Sequence, residues 1–186
     1  MKKYLSLLAA TALSLTAFSA SAEENFDYLP YVGLDYAYTN GIAHNLRPNY
    51  NSLSLNVGTD YNRFFGTELF YQYSDDSKKG NYLNKIKSSF QAGGLDIYGY
   101  LPLTCNREFA LLGTAGIGLY DFKSSYNNPA VKGGHDHGYG YRAGLGVIYS
   151  LDNNWSVRAI ARYVSLDQIN DYDHLMEYSA GIRYNF

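Results

Sequence analysis

Residues 139–149 run Tyr139-Gly140-Tyr141-Arg142-Ala143-Gly144-Leu145-Gly146-Val147-Ile148-Tyr149, and this stretch decides the fold. Its odd positions are all aromatic or apolar, while its even positions are three glycines, an arginine and an isoleucine. A period of two is the mark of a β-strand with two unlike faces. One face is apolar; on the other, glycines surround a guanidinium.

The same period recurs in seven other stretches. Val32, Leu34, Tyr36 and Tyr38 oppose Tyr31, Gly33, Asp35 and Ala37; Leu53, Leu55, Val57 and Tyr61 oppose Ser52, Ser54, Asn56, Gly58 and Asp60. Phe65, Thr67, Leu69, Tyr71 and Tyr73 oppose Gly66, Glu68, Phe70, Gln72 and Ser74. In the fourth stretch Leu95, Ile97 and Leu101 oppose Asp96, Tyr98 and Tyr100; Phe90 and Ala92 fall out of phase across Gly93-Gly94, which predicts a β-bulge. Phe109, Leu111, Ala115, Ile117 and Leu119 oppose Thr114, Gly116, Gly118 and Tyr120. Trp155, Val157, Ala159, Ala161 and Tyr163 oppose Ser156, Arg158 and Arg162; Met176 to Phe186 alternates against Glu177, Ser179, Gly181, Arg183 and Asn185. Short connections at Asn62-Arg63, 102–107 and 152–154 alternate with long ones at 40–50, 75–85, 123–137 and 166–173. Eight strands joined in this way predict an all-β, antiparallel up-and-down barrel, closed because the strand number is even.

Composition narrows the environment. The 186 residues include 21 Tyr and 18 Gly but only 17% charged residues, and no run outside the N-terminus is long and apolar enough for a spanning helix. A formal net charge of −2 leaves no basic excess for a nucleic-acid partner. Lys2 and Lys3, the apolar run 4–18 and Ala20-Ser21-Ala22 predict a signal peptide over residues 1–22, with the barrel domain over 23–186.

The contents of the two faces say which one meets lipid. The apolar face carries no charge in seven stretches, and Lys87 is the one exception in the fourth. A lysine or arginine facing hydrocarbon at mid-membrane costs about 2–4 kcal/mol, so lipid demands such a stripe. The opposite face carries Asp35, Asp60, Glu68, Asp96 and Glu177 with Arg142, Arg158, Arg162 and Arg183, and essentially no lysine. Arginine's fork pairs with carboxylates in enclosed polar spaces. A plugged lumen follows, holding a charge network of Asp35, Glu68, Asp96, Arg142, Arg158, Arg162, Glu177 and Arg183. Position along the strands predicts two tiers, with Glu68, Asp96, Arg158 and Arg183 towards the short turns and Asp35, Arg142, Arg162 and Glu177 towards the loops. Two aromatic girdles are expected, Tyr31, Tyr61, Phe64, Phe65, Phe109, Tyr149, Trp155, Tyr184 and Phe186 at one rim and Tyr38, Tyr73, Tyr139 and Tyr163 at the other.

The C-terminus, Gly181-Ile182-Arg183-Tyr184-Asn185-Phe186, resembles the insertion signal of small eight-stranded outer-membrane barrels of the OmpA, OmpX and opacity type. Thr67-Glu68-Leu69-Phe70-Tyr71 and Tyr98-Gly99-Tyr100-Leu101-Pro102 are also similar to that family. The resemblance implies a Gram-negative outer-membrane protein whose last strand, through Gly181, Tyr184 and Phe186, is read by the barrel assembly machinery. Its other expected partners are outer-membrane lipid or lipopolysaccharide and an extracellular or host ligand at the loops. The chain is expected to be a monomer without a cofactor.

Catalytic signals are weak. The histidines His44, His135, His137 and His174 fall in or beside loops, no deacylase-like His-x-Ser-Asn motif occurs, and Cys105 has no His or acid beside it. His135-Asp136-His137 offers imidazoles but reads as a solvated loop rather than a metal site. A structural or surface-interaction role is therefore expected, with a narrow channel and a lipid A-modifying enzyme as the alternatives.

Overall fold

Every alternating stretch forms a strand, and the strands pair in chain order. The computed structural model describes residues 28–42, 49–62, 64–75, 77–79, 86–104, 108–126, 134–167, 169 and 174–186. The signal-peptide segment 1–22 and Cys105 lie outside the described residues, as do 43–48, 76, 80–85, 127–133, 168 and 170–173 of the long connections. The strands are β1 (Leu29–Ile42), β2 (Asn49–Asn62), β3 (Phe65–Ser74), β4 (Ser77–Lys79), β5 (Ile86–Pro102), β6 (Phe109–Tyr126), β7 (Gly134–Ser150), β8 (Trp155–Asp167) and β9 (His174–Asn185). All neighbours are antiparallel, and the sheet closes through β1 on β9 and β3 on β5. β4 is a three-residue continuation of the third wall along β5, so among the described residues the cylinder has eight walls, each paired on both sides.

A strand of about 9–11 residues crosses the hydrocarbon when tilted. β5, β6 and β7, at 17, 18 and 17 residues, extend beyond that span at the loop end. Leu145 is 74% exposed, and Leu53, Leu55, Ile97, Ile117, Tyr141 and Ile182 also face outwards. Exposed charge on the described outer wall is confined to the ends, with Asp75, Lys123 and Asp167 by the loops and Glu108 and Asp152 by the turns. Such an apolar waist is tolerable only against hydrocarbon.

The fourth wall corrects one expectation. β5 pairs with β6 in unbroken register from Ile86 to Pro102, with no bulge at Gly93-Gly94. Phe90 and Ala92 point inwards on the same face as Asp96 and Tyr98, because the lumen itself turns apolar near the loops. The register shift falls instead between Asp60 and Asn62, beside the β2–β3 turn. Tyr31 is a second correction. It does not join the rim girdle but is buried in the lumen, where its ring packs under Arg183 at 3.4 Å. Its partners on the outside are present: Trp155, Tyr184 and Phe186 form an edge-to-face chain with centroids 4.9 and 5.3 Å apart.

Candidate functional site in the barrel lumen

The inward faces of the eight walls bring the charged side chains together in three tiers rather than two. At the turn end, Arg183 on β9 pairs with Asp60 on β2, and its Nη1 donates to the Tyr100 hydroxyl at 2.9 Å. Tyr100 in turn donates to Asp60 Oδ1 at 3.0 Å. Asp60 stood on the polar face in the sequence pattern but outside the expected network.

The middle tier is built on Arg158 from β8. Its Nε and Nη2 donate to the two oxygens of Asp35 at 3.0 and 2.7 Å, a bidentate fork. Nη1 and Nη2 donate to the two oxygens of Glu68 at 2.6 and 3.1 Å. One guanidinium thus sits between two carboxylates that are themselves 2% and 1% exposed. The surplus negative charge is met by neutral donors: Tyr31 and Tyr98 hydroxyls to Glu68 at 3.0 and 2.9 Å, and Asn56 Nδ2 to Asp35 at 2.9 Å. Charge-assisted bonds of this kind are about twice as strong as neutral ones.

The upper tier joins Arg142, Arg162, Glu177 and Asp96. Arg142 Nη2 and Arg162 Nη1 converge on Glu177 Oε1 at 3.2 and 3.1 Å, and Gln72 Nε2 donates to Oε2 at 2.8 Å. Asp96 Oδ2 lies 3.7 Å from Arg142 Nη2 and 3.8 Å from Arg162 Nε, ion-pair distances without a hydrogen bond. Arg142 also stacks on the Phe70 ring at 3.7 Å. Arg162 Nη2 donates to the Tyr98 hydroxyl at 2.8 Å and so ties this tier to the one below.

All eight residues of the expected network are therefore buried in the lumen, but their grouping differs. Asp35 joins Arg158 and Glu68, Asp96 joins the upper tier, and Arg183 leaves for Asp60. The reason is strand stagger. Closing a barrel tilts and shifts its strands, so equal distance along two strands is not equal height.

Above the ions the lumen is apolar. Tyr50, Phe70, Phe90, Tyr120, Phe122, Val164, Leu175 and Ile169 form one buried cluster, with Ile169 contributed by the last long connection. Phe90 packs against Tyr50 and Phe122 with centroids 5.2 and 5.4 Å apart. Phe70 and Tyr120 occupied polar-face positions in the sequence, and that misplaced aromatic character was the available signal for a capped interior.

The terminal signal residues sit at the seam between first and last strands. Gly181 pairs with Asp35 on β1 and Arg158 on β8, and a Cβ there would overlap Asp35 Oδ1. Its glycine is thus required by the lumen. Tyr184 lies between Trp155 and Phe186, and the Phe186 amide donates to the Pro30 carbonyl at 3.0 Å. Of the histidines, His174 stacks on Tyr163 with centroids 5.3 Å apart; His44 and the His135 side chain lie outside what is described. Among the described residues no cluster of His, Cys, Asp or Glu has metal-binding geometry.

An apolar outer waist, a closed eight-walled meander and an arginine–carboxylate interior define a transmembrane barrel of the outer-membrane type. Residues 5–186 match the family described as outer membrane protein beta-barrel domain, and the chain belongs to that family. No curated protein matches it in sequence. Among solved structures it is similar to Neisserial surface protein A, NspA, with 17% identity and a TM-score of 0.71 over 84% of this chain and 97% of that one. It is also similar to Ail, the attachment invasion locus protein of Yersinia pestis, solved with the heparin analogue sucrose octasulfate: 14% identity, TM-score 0.62, 86% and 99% covered. OprG of Pseudomonas aeruginosa matches at 16% identity and TM-score 0.58, with 85% and 96% covered. At these identities the likeness is one of fold.

Proposed function

We propose that this chain is a non-catalytic surface-interaction protein: a sealed barrel in the outer membrane that presents its four long loops for binding outside the cell. The observation that carries this is the content of the lumen. Three ionic tiers and an aromatic cap fill the interior, with Glu68, Asp96, Tyr98 and Tyr120 each at or below 1% exposure. An eight-stranded barrel is only wide enough for side chains to fill, so an interior of this kind plugs it and leaves the loops as the working surface. A surface protein and an attachment protein among the similar folds support the same role. The signal peptide over 1–22 delivers the chain to the envelope, and the strand ending in Phe186 is its handle for the barrel assembly machinery. It works as a monomer, bathed in outer-membrane lipid or lipopolysaccharide.

The test has two arms. Cells displaying the barrel are measured for binding to immobilised heparin and to epithelial monolayers, before and after residues 43–48, 80–85, 127–133 and 170–173 are replaced by Gly/Ser segments of equal length. Binding lost with the loops, in a protein that still shows heat-modifiable gel migration, is the expected result. The purified barrel in planar bilayers should be electrically silent. Steady ion conductance, or adhesion that survives loop replacement, overturns the proposal.

A further inference from the structure

The upper tier contains a mismatch that the other two lack. Asp96 is fully buried, yet neither carboxylate oxygen accepts a hydrogen bond. Around it, Arg142 Nε and Nη1, Arg162 Nε, the Thr114 and Tyr120 hydroxyls and Gln72 Oε1 are likewise without partners. Arg142 and Arg162 face Asp96 at 3.7 and 3.8 Å, and the Thr114 methyl and the Arg162 stem both lie against Gly144.

Simple closure of the gap is blocked on both sides. Arg142 is held by Glu177 at 3.2 Å and by the Phe70 ring; Arg162 is held by Glu177, Ser179 and Tyr98 at 3.1, 3.0 and 2.8 Å. Asp96 has a short side chain that leans over Gly116, where a Cβ would overlap its Oδ1. The resulting separations, 3.7 and 3.8 Å, are about 1 Å longer than a charge-assisted N–H···O bond. A polar separation beyond about 3.5 Å is one that a water can bridge from the side. A buried water makes about three hydrogen bonds, and it settles where polar groups are otherwise unsatisfied. Leaving so many polar groups dry carries a penalty that few folded proteins tolerate.

The geometry points to a buried water site in the lumen, anchored by Asp96 and bridging it to Arg142, Arg162 and Thr114, enclosed between the aromatic cap and the Arg158 tier. Its ligand is water, and not a small ion. Two carboxylates and two guanidiniums leave the tier without net charge, so neither a cation nor an anion is favoured. The barrel is then sealed but wet at its centre. The water site does not depend on what the loops bind.

The Thr114 methyl group reports directly. In isotope-labelled protein folded in detergent micelles, a cross-relaxation signal between that methyl and water with nanosecond-or-longer residence is expected. Because the Thr114 hydroxyl could relay magnetisation, T114V serves as control and should retain a water signal on its methyls. D96E supplies one more methylene, enough to reach the guanidiniums directly. Its water signal should fall severalfold while its heat-modifiable migration stays as in the parent. D96N, which keeps length and polarity, should retain the water. Absence of the signal in the parent protein, its loss in T114V, or its persistence unchanged in D96E overturns the inference. So does an ion found at this position by anomalous scattering.

Discussion

Removing Arg158 tests the interior most severely. Its guanidinium makes four hydrogen bonds of 2.6–3.1 Å to Asp35 and Glu68. Summing four charge-assisted bonds at about 1.5–3 kcal/mol each overstates the loss, because one group supplies them all and they are not independent. The better measure is the cost of stripping one partner from a buried ion pair, about 3–5 kcal/mol. Tyr31, Tyr98 and Asn56 continue to serve the two carboxylates, and this keeps R158A within that range. Trp155, the single tryptophan, lies three residues away on the lipid-facing rim and reports unfolding. Urea titration of protein refolded into phosphatidylcholine vesicles, followed by its fluorescence, should show R158A destabilised by about 3–5 kcal/mol. The triple variant R158L/D35N/E68Q removes the charges together and should recover most of that loss, since the penalty comes from unmatched charge rather than missing contacts. A loss below about 1 kcal/mol in R158A, or no recovery in the triple variant, refutes the reasoning.

Three further outcomes are expected. G181A forces a Cβ onto Asp35 and should lower the temperature at which the gel band shifts, whereas G99A, whose added methyl would have nothing within 4 Å, should leave it unchanged. L145R places a charge on the hydrocarbon-facing waist and should cost about 2–4 kcal/mol in vesicle unfolding, against about 0–1 kcal/mol for Y139R near the loop rim. F90A removes the centre of the aromatic cap and should destabilise the barrel by about 3–5 kcal/mol in the same titration, with no effect on where the chain inserts.

Much of this fold was legible because one physical rule acts along the whole chain. Period-two alternation named eight walls, and the absence of lysine from one face said that this face was enclosed rather than wet. Pairing was not legible. It depends on stagger between strands, which no single strand encodes, so Asp35 and Asp96 were exchanged between tiers. Tyr31 shows a second kind of miss. Its position on the polar face was correct, but tyrosine suits both a membrane rim and a hydrogen-bonded interior, and only a partner such as Glu68 decides between them. Phe90 shows a third. Its phase was consistent with Asp96 all along, and a bulge was necessary only if the whole lumen had to be polar. The lumen instead changes character with height: ion pairs interleave with Tyr31, Tyr98 and Tyr100 through the middle and turn end, and a larger apolar cluster lies where the wall rises towards the loops. That order has a physical basis. Midway across the membrane bulk water is out of reach, so each buried charge must be satisfied across the lumen, by an opposite charge or by a neutral donor such as Tyr98 or Asn56. Near the loops bulk water is closer, and apolar side chains there ask for no such partner.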